Sequence, residues 1–233
     1  MPLRRVHSPA IDQVSLSPAA DTARPAEEDP VVIDFSTSFA RLPVMPTLRR
    51  LLGRELPDPN AESSIPELLT ICRDIGLEVS PPRTLAHVWD KLIGHVIEPL
   101  CIQPTFITDH PECLSPLAKS YPSMVDGVAS DKAGLTQRFE LFVGGKELCN
   151  AYSELNDPAE QHRRLSLQAQ AAAAGDEEAL PNDADFVQAL SYGLPPTAGW
   201  GLGIDRLAML LTGQSHIREV LAFPVLRSLA HKS

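Results

Sequence analysis

Five side chains with polar chemistry stand close together between Arg138 and Leu155, in the segment RFELFVGGKELCNAYSEL. They are Glu140, Glu147, Asn150, Tyr152 and Glu154. Two β-rich runs flank Gly144-Gly145, which is the sequence signature of a two-residue hairpin turn. A turn at that pair predicts that Val143 faces Lys146, Phe142 faces Glu147 and Glu140 faces Cys149. Glu140 and Glu147 then share a sheet face as diagonal neighbours. Two carboxylates so placed repel one another unless a cation sits between them, and hard oxygen ligands suit Mg²⁺ bridging to phosphates. From spacing alone, two glutamates on a solvated face are the simpler account. Asn150, Tyr152 and Glu154 alternate further along, so they share a face too. A carboxylate there can pair with an ammonium, while an amide and a phenol fix its orientation. Strict period two puts this trio opposite Glu147. A single site using both sets therefore requires a bulge or strong twist near Leu148 and Cys149.

A second constellation is GLPPTAGWGLGIDR, from Gly193 to Arg206. Two prolines make a stiff entry. Gly199, Gly201 and Gly203 then alternate with Trp200 and Leu202, which strips one face of a strand of side chains. A flat ring such as a purine can lie on bare backbone of this kind. Ile204 opens an apolar helical run that Gly213 can stop, and Arg206 falls in its first turn. An arginine at that junction offers a fork of donors to phosphates. Glycines in strands also mark bulges, and first-turn arginines are often only solvated. Neither a P-loop nor a GxGxxG in a βαβ setting is present.

Other elements must position these residues. Val31 to Phe35 reads as a strand, and Ser36 to Pro46 as an extended continuation. Helices are expected at 47–53, at 63–76 capped by Gly76, and from Thr84 as N-cap to about Glu98. Thr105 to Ile107 is a short strand. The polar stretch 121–134 is expected to carry an exposed tip. Pro158 to Ala174 reads as a long helix whose Arg/Gln face is solvated, and Asp185 to Tyr192 as another. Residues 1–30, rich in Pro, Ala and Ser, read as a disordered leader, with a faint hint of an organelle transit peptide. At 233 residues and 43% hydrophobic content the chain can bury a real core. A net charge of −10 disfavours a general nucleic-acid binder, since counterion release needs a dense basic face. Four scattered cysteines with no CxxC pair, and seven histidines with no HxxxH, argue against a zinc site or a disulfide framework. No apolar stretch approaches the roughly 20 residues that span a bilayer.

The string GLPPTAGWGLGIDRLAMLLTG closely resembles motif 3 of the class II aminoacyl-tRNA synthetases, in the lysyl-tRNA synthetase version. Relatives for aspartate and asparagine typically carry His-Gly-Gly where Thr197, Ala198 and Gly199 stand here. The tail from His216 to Pro224, Pro104 to Ile107, Asp109-His110-Pro111, and Ser115 to Lys119 fit the same pattern. The resemblance covers roughly residues 31–227. It implies an α+β domain: part of the antiparallel class II sheet with flanking helices, over residues 31–233. Position by position, it implies that Glu140 and Glu147 hold Mg²⁺, with Glu147 and Leu148 also at the nucleotide. It assigns Asn150, Tyr152 and Glu154 to a lysine pocket, Gly199, Gly201 and Gly203 to the adenine side, and Arg206 to the γ-phosphate.

The implied function is ATP-dependent activation of L-lysine to lysyl-adenylate and its transfer to tRNA, in the cytoplasm or alternatively in mitochondria. The family is homodimeric. Motif 1, at the dimer interface, finds no match in this chain, nor does motif 2 with its α-phosphate arginine, nor the anticodon-binding barrel. The chain thus resembles the C-terminal part of a synthetase catalytic domain. A tRNA-independent lysyl-adenylate-forming ligase and a non-catalytic binding fragment are the alternatives.

Overall fold

The hairpin expected at Gly144-Gly145 lies inside a five-stranded sheet in a computed structural model, which describes residues 13–16, 31–177 and 179–224. In chain order, β1 (Gln13–Leu16) pairs antiparallel with β2 (Val31–Asp34). Thus part of the stretch expected as a disordered leader forms a strand; the rest of 1–30 lies outside the described residues. β3 (Ala40–Pro43) leads into helix α1 (Val44–Leu52), and α2 (Ile65–Asp74) and α3 (Leu85–Val96) follow. Then come β4 (Thr105–Thr108), the small hairpin β5 (Met124–Val125) and β6 (Val128–Ala129), and the long hairpin β7 (Arg138–Val143) and β8 (Lys146–Ser153). Helices α4 (Pro158–Ala173) and α5 (Ala184–Ser191) precede β9 (Ala198–Leu202) and α6 (Ile204–Thr212).

The sheet order is β3-β4-β7-β8-β9. Its pairs are antiparallel except β3 with β4, which run parallel. On one face, Val44, Leu48, Leu68, Val88, Trp89 and Leu92 of α1–α3 pack with Ile107 and Phe142 of the sheet. On the other, Leu210 of α6 and Ile33 of β2 pack with Val143 and Leu148. The domain is α+β as expected, with helices on both sides of the sheet.

Local chemistry accounts for most element ends. The Thr84 Oγ1 accepts from the His87 N–H at 3.2 Å and starts α3. Gly53 and Gly213 close α1 and α6 in the left-handed conformation. Gly144 and Gly145 both have positive φ, as the twist-matched two-residue turn requires. Helix α1 starts three residues earlier than the sequence suggested. Burial of Val44, Met45 and Leu48 draws the chain into helix, and Pro46 sits in the first turn, where its missing N–H costs nothing. The face of α4 expected to be solvated is in part buried: Gln161 is fully enclosed and Arg164 is 5% exposed. Both donate to carbonyls of the 115–118 segment, so the helix clamps that segment in place. The tip expected in 121–134 is the β5–β6 hairpin, turning at Asp126 and Gly127, with Met124, Val125 and Val128 exposed. Among the described residues no helix is long and apolar enough to cross a membrane.

Candidate active site

The register of the β7–β8 hairpin builds the site. Val143 pairs with Lys146 and Phe142 with Glu147, but Leu141 pairs with Cys149. Leu148 is therefore the extra residue of a bulge, where one face of the strand and the other exchange. Glu140 consequently faces Asn150 rather than Cys149. The one-residue offset brings Glu140, Glu147, Asn150 and Tyr152 onto one side of the sheet. Leu148 points away, 6% exposed, into the opposite core, and its carbonyl accepts from the Gly203 N–H at 2.9 Å.

The Glu140 carboxylate has a basic side chain beside each oxygen. Arg138 Nη2 lies 2.6 Å from Oε1, and His110 Nε2 lies 3.3 Å from Oε2. Burial works to raise this carboxyl, yet His110 and Arg138 together outweigh it and hold the group below its ordinary value. Arg138 also donates from Nε to Asn150 Oδ1 at 3.1 Å, and from Nη1 to the Leu114 carbonyl and Ser115 Oγ. Sequence reasoning assigned no role to Arg138 or His110. Arg138 was findable, because it stands two residues before Glu140 on the same strand and so shares its face.

Glu147 lies at the mouth of the cleft. Arg206 Nη1 donates to the Glu147 carbonyl at 2.6 Å and is 3.6 Å from its Oε2. Glu98, at the turn after α3, is a third carboxylate that the sequence did not single out. Its carboxyl is pushed up by burial, then by the charges of Glu140, Asp90 and Glu147. It borders both the cavity of about 450 Å³ beside Glu140 and the opening of about 500 Å³ beside Glu147 and Arg206. Among the described residues no three His, Cys, Asp or Glu are grouped as a metal cage. Mg²⁺ needs no such cage, since it typically binds through one or two carboxylates plus phosphates and keeps its waters. The donor chemistry of Glu140 and Glu147 fits that mode, because an engaged carboxylate oxygen retains a second lone pair.

The three glycines have different neighbours. Gly199 pairs with Tyr152 and Gly201 with Asn150, so both bare the site face. A Cβ at Gly199 would collide with the Glu154 carboxylate. The space over Gly199 is thus filled by Glu154, and the space over Gly203 by the Arg206 stem. Gly201 alone leaves an open floor, beneath a cavity of about 380 Å³ that Asn150 and Arg206 border. No described side chain pairs with Glu154, and burial pushes its carboxyl up. Burial and the Glu154 charge likewise raise the Tyr152 phenol. The site therefore runs from an unpaired carboxylate over Gly199, across an open backbone floor, to a guanidinium at the start of α6.

Comparison with known proteins decides the family. Residues 11–227 match the model of the class II tRNA synthetases specific for D, K and N. The chain is a class II aminoacyl-tRNA synthetase domain. The match begins at residue 11, ahead of residue 31, and takes in β1. A probable cytoplasmic lysine–tRNA ligase of Encephalitozoon cuniculi is 49% identical over 206 residues, 88% of this chain and 39% of that protein. Its namesake in Vairimorpha ceranae is 44% identical over 210 residues, 89% of this chain and 39% of that protein. A lysine–tRNA ligase of Cladosporium cladosporioides is 45% identical over 199 residues, 84% of this chain and 32% of that protein. The synthetase domain described here thus spans about two fifths of the length of these relatives, or less.

Proposed function

We propose that this domain binds L-lysine and ATP side by side on the bared sheet face, in the service of lysyl-adenylate formation and transfer to tRNA. The observation that carries the reading is Glu154: a half-buried carboxylate with raised pKa and no cationic partner among the described residues, beside an open floor that ends at Arg206. An ammonium group supplies the missing charge. Asn150 and Tyr152 orient the amino acid, Gly201 lies under the adenine with the Gly203 backbone at its edge beside the Arg206 stem, and Arg206 takes the γ-phosphate. The backbone at Leu148 borders the nucleotide. Glu140 and Glu147 would hold Mg²⁺, which supplies charge neutralisation at the phosphates. Gly199 serves the lysine end, by giving Glu154 its seat. The names of the relatives support tRNA as acceptor and a cytoplasmic setting. The dimeric habit implied by the resemblance is proposed as the assembly state.

Calorimetric titration of the purified chain tests this. L-lysine is expected to bind, and Glu154→Gln to weaken it by about 2–5 kcal/mol where bound lysine completes the burial of the pair. Arg206→Ala is expected to weaken Mg·ATP while sparing lysine. Equal lysine binding by wild type and Glu154→Gln places the amino-acid pocket elsewhere.

A further inference from the structure

We propose that Arg138 is a positioning residue that orients the Asn150 amide and joins the amino-acid end of the site to the nucleotide end. The inference rests on the lysine-and-ATP reading above. Arg138 pairs with Tyr152 across the β7–β8 ladder, and Glu140 with Asn150, so four polar residues form one patch. The guanidinium sits at its centre and donates in three directions. Nη1 is fastened to the Leu114 carbonyl at 2.7 Å and Ser115 Oγ at 3.0 Å, Nη2 to Glu140 at 2.6 Å, and Nε to Asn150 at 3.1 Å.

A guanidinium carries donors only. The Asn150 atom that faces it must therefore be the carbonyl oxygen. The amide nitrogen is turned the other way, and no described residue accepts from it. Asn150 borders both the cavity beside Glu140 and the one beside Arg206. Its NH₂ is thus set to donate to an acceptor on the ligand, such as the carboxylate or carbonyl oxygen of an amino acid. Without Arg138 the two amide orientations become close in energy, and half of the time the ligand's oxygen meets an oxygen. The same guanidinium restrains Glu140, so a cation drawing on Glu140 shifts the group that sets Asn150.

The test uses the full chain, with L-lysine, cadaverine and Mg·ATP as probes. Cadaverine keeps both amines and lacks the carboxylate. Wild type is expected to prefer L-lysine to cadaverine, and its lysine affinity to respond to Mg·ATP. Arg138→Gln is expected to narrow the preference by about twofold, the population factor for an amide free to take either orientation, and to make lysine affinity indifferent to Mg·ATP. Arg138→Lys keeps the charge but not the fork and is expected to narrow the preference in part; it keeps the test readable if the glutamine variant does not fold. A merely structural arginine would lower both affinities together and leave preference and cross-dependence intact. That result in a folded variant overturns the proposal. Wild-type binding of both ligands with unaltered Arg138 variants overturns the role of Arg138 alone. Failure of wild type to bind either ligand overturns the functional reading and this inference with it.

Discussion

Glu154 carries opposite consequences for binding and for folding. Burial raises its carboxyl, so the folded chain holds that proton more tightly than the unfolded chain does. Stability therefore falls as pH climbs from the ordinary carboxylate value through the raised folded one. Glu154→Gln removes the buried charge and keeps the shape. Urea melts are expected to show the variant at least as stable as wild type near pH 7, with the gap closing toward pH 4, although it binds lysine poorly. A variant less stable than wild type at neutral pH would mean that the carboxylate has a stabilising partner in solution. Gly199→Ala probes the same contact from the other strand, because its methyl group must displace the carboxylate and so weaken lysine. The residue types at 150, 152 and 154 marked a polar trio with the chemistry to hold an amine, since period two groups them. Glu98 and His110 gave no such sign. They reach the cleft from the end of α3 and the turn after β4, and only tertiary packing brings them there.

At the scale of elements, the bulge was legible from a conflict: period two could not put Glu147 and Asn150 in one site without an extra residue. Its place near Leu148 and Cys149 was legible too, and the structure has it at Leu148. The turn fixed the register through Phe142–Glu147, but the bulge at Leu148 shifts everything beyond by one, so Glu140 meets Asn150. Which residue steps aside depends on the core behind the sheet, where Leu148 finds Leu210 and Val143. The buried polar face of α4 escaped sequence reasoning for a similar reason, because alanine-rich helices look solvated until their partner segment is known. Arg164 pairs with Glu160 at 2.7 Å and Glu112 at 3.1 Å, and donates to the Ala118 carbonyl and Ser120 Oγ. Arg164→Ala leaves the Ala118 carbonyl without its side-chain donor, while Glu160 and Glu112 keep Arg163, and is expected to cost about 1–3 kcal/mol in urea unfolding. Hydrogen bonds from Arg163 and Arg164, against a smaller burial effect, bring the Glu160 carboxyl down to about 2. Its contribution is then complete above the ordinary value of 4.5 and is lost as pH falls toward 2. The expected outcome is an acid transition that moves to higher pH in Arg164→Ala, modest in size because Glu160 is partly solvated.

For the whole molecule, the question is how much catalysis this set of groups supports by itself. Adenylate formation places a carboxylate in line with the α-phosphate, and the transition state spreads charge over phosphate oxygens. Positioning and fixed donors supply most of the acceleration. Among the cations that border the cleft, Arg206 is half exposed and anchored at Glu147, and Arg138 has its donors committed to Glu140, Asn150, Leu114 and Ser115. Three carboxylates, Glu98, Glu140 and Glu147, bear on the same space. The described groups thus suit holding lysine, the γ-phosphate and a cation better than stabilising charge at the α-phosphate. Missing one such donor costs about 10²–10³ in rate. Lysine-dependent exchange of pyrophosphate into ATP by the purified 233-residue chain is therefore expected to fall at least that far below the rate of a relative such as the Encephalitozoon cuniculi enzyme. The relative is 49% identical over the shared part but extends well beyond it, since the match takes in only 39% of its length. Supplying the rest of that relative in trans is expected to raise exchange, by bringing further donors to the open side of β9. β9 is an edge strand of the sheet, and Trp200 on it is 68% exposed. Exchange by the chain alone at the rate of the relative would show instead that its own residues stabilise the α-phosphate, and Arg138 would be the first group to examine.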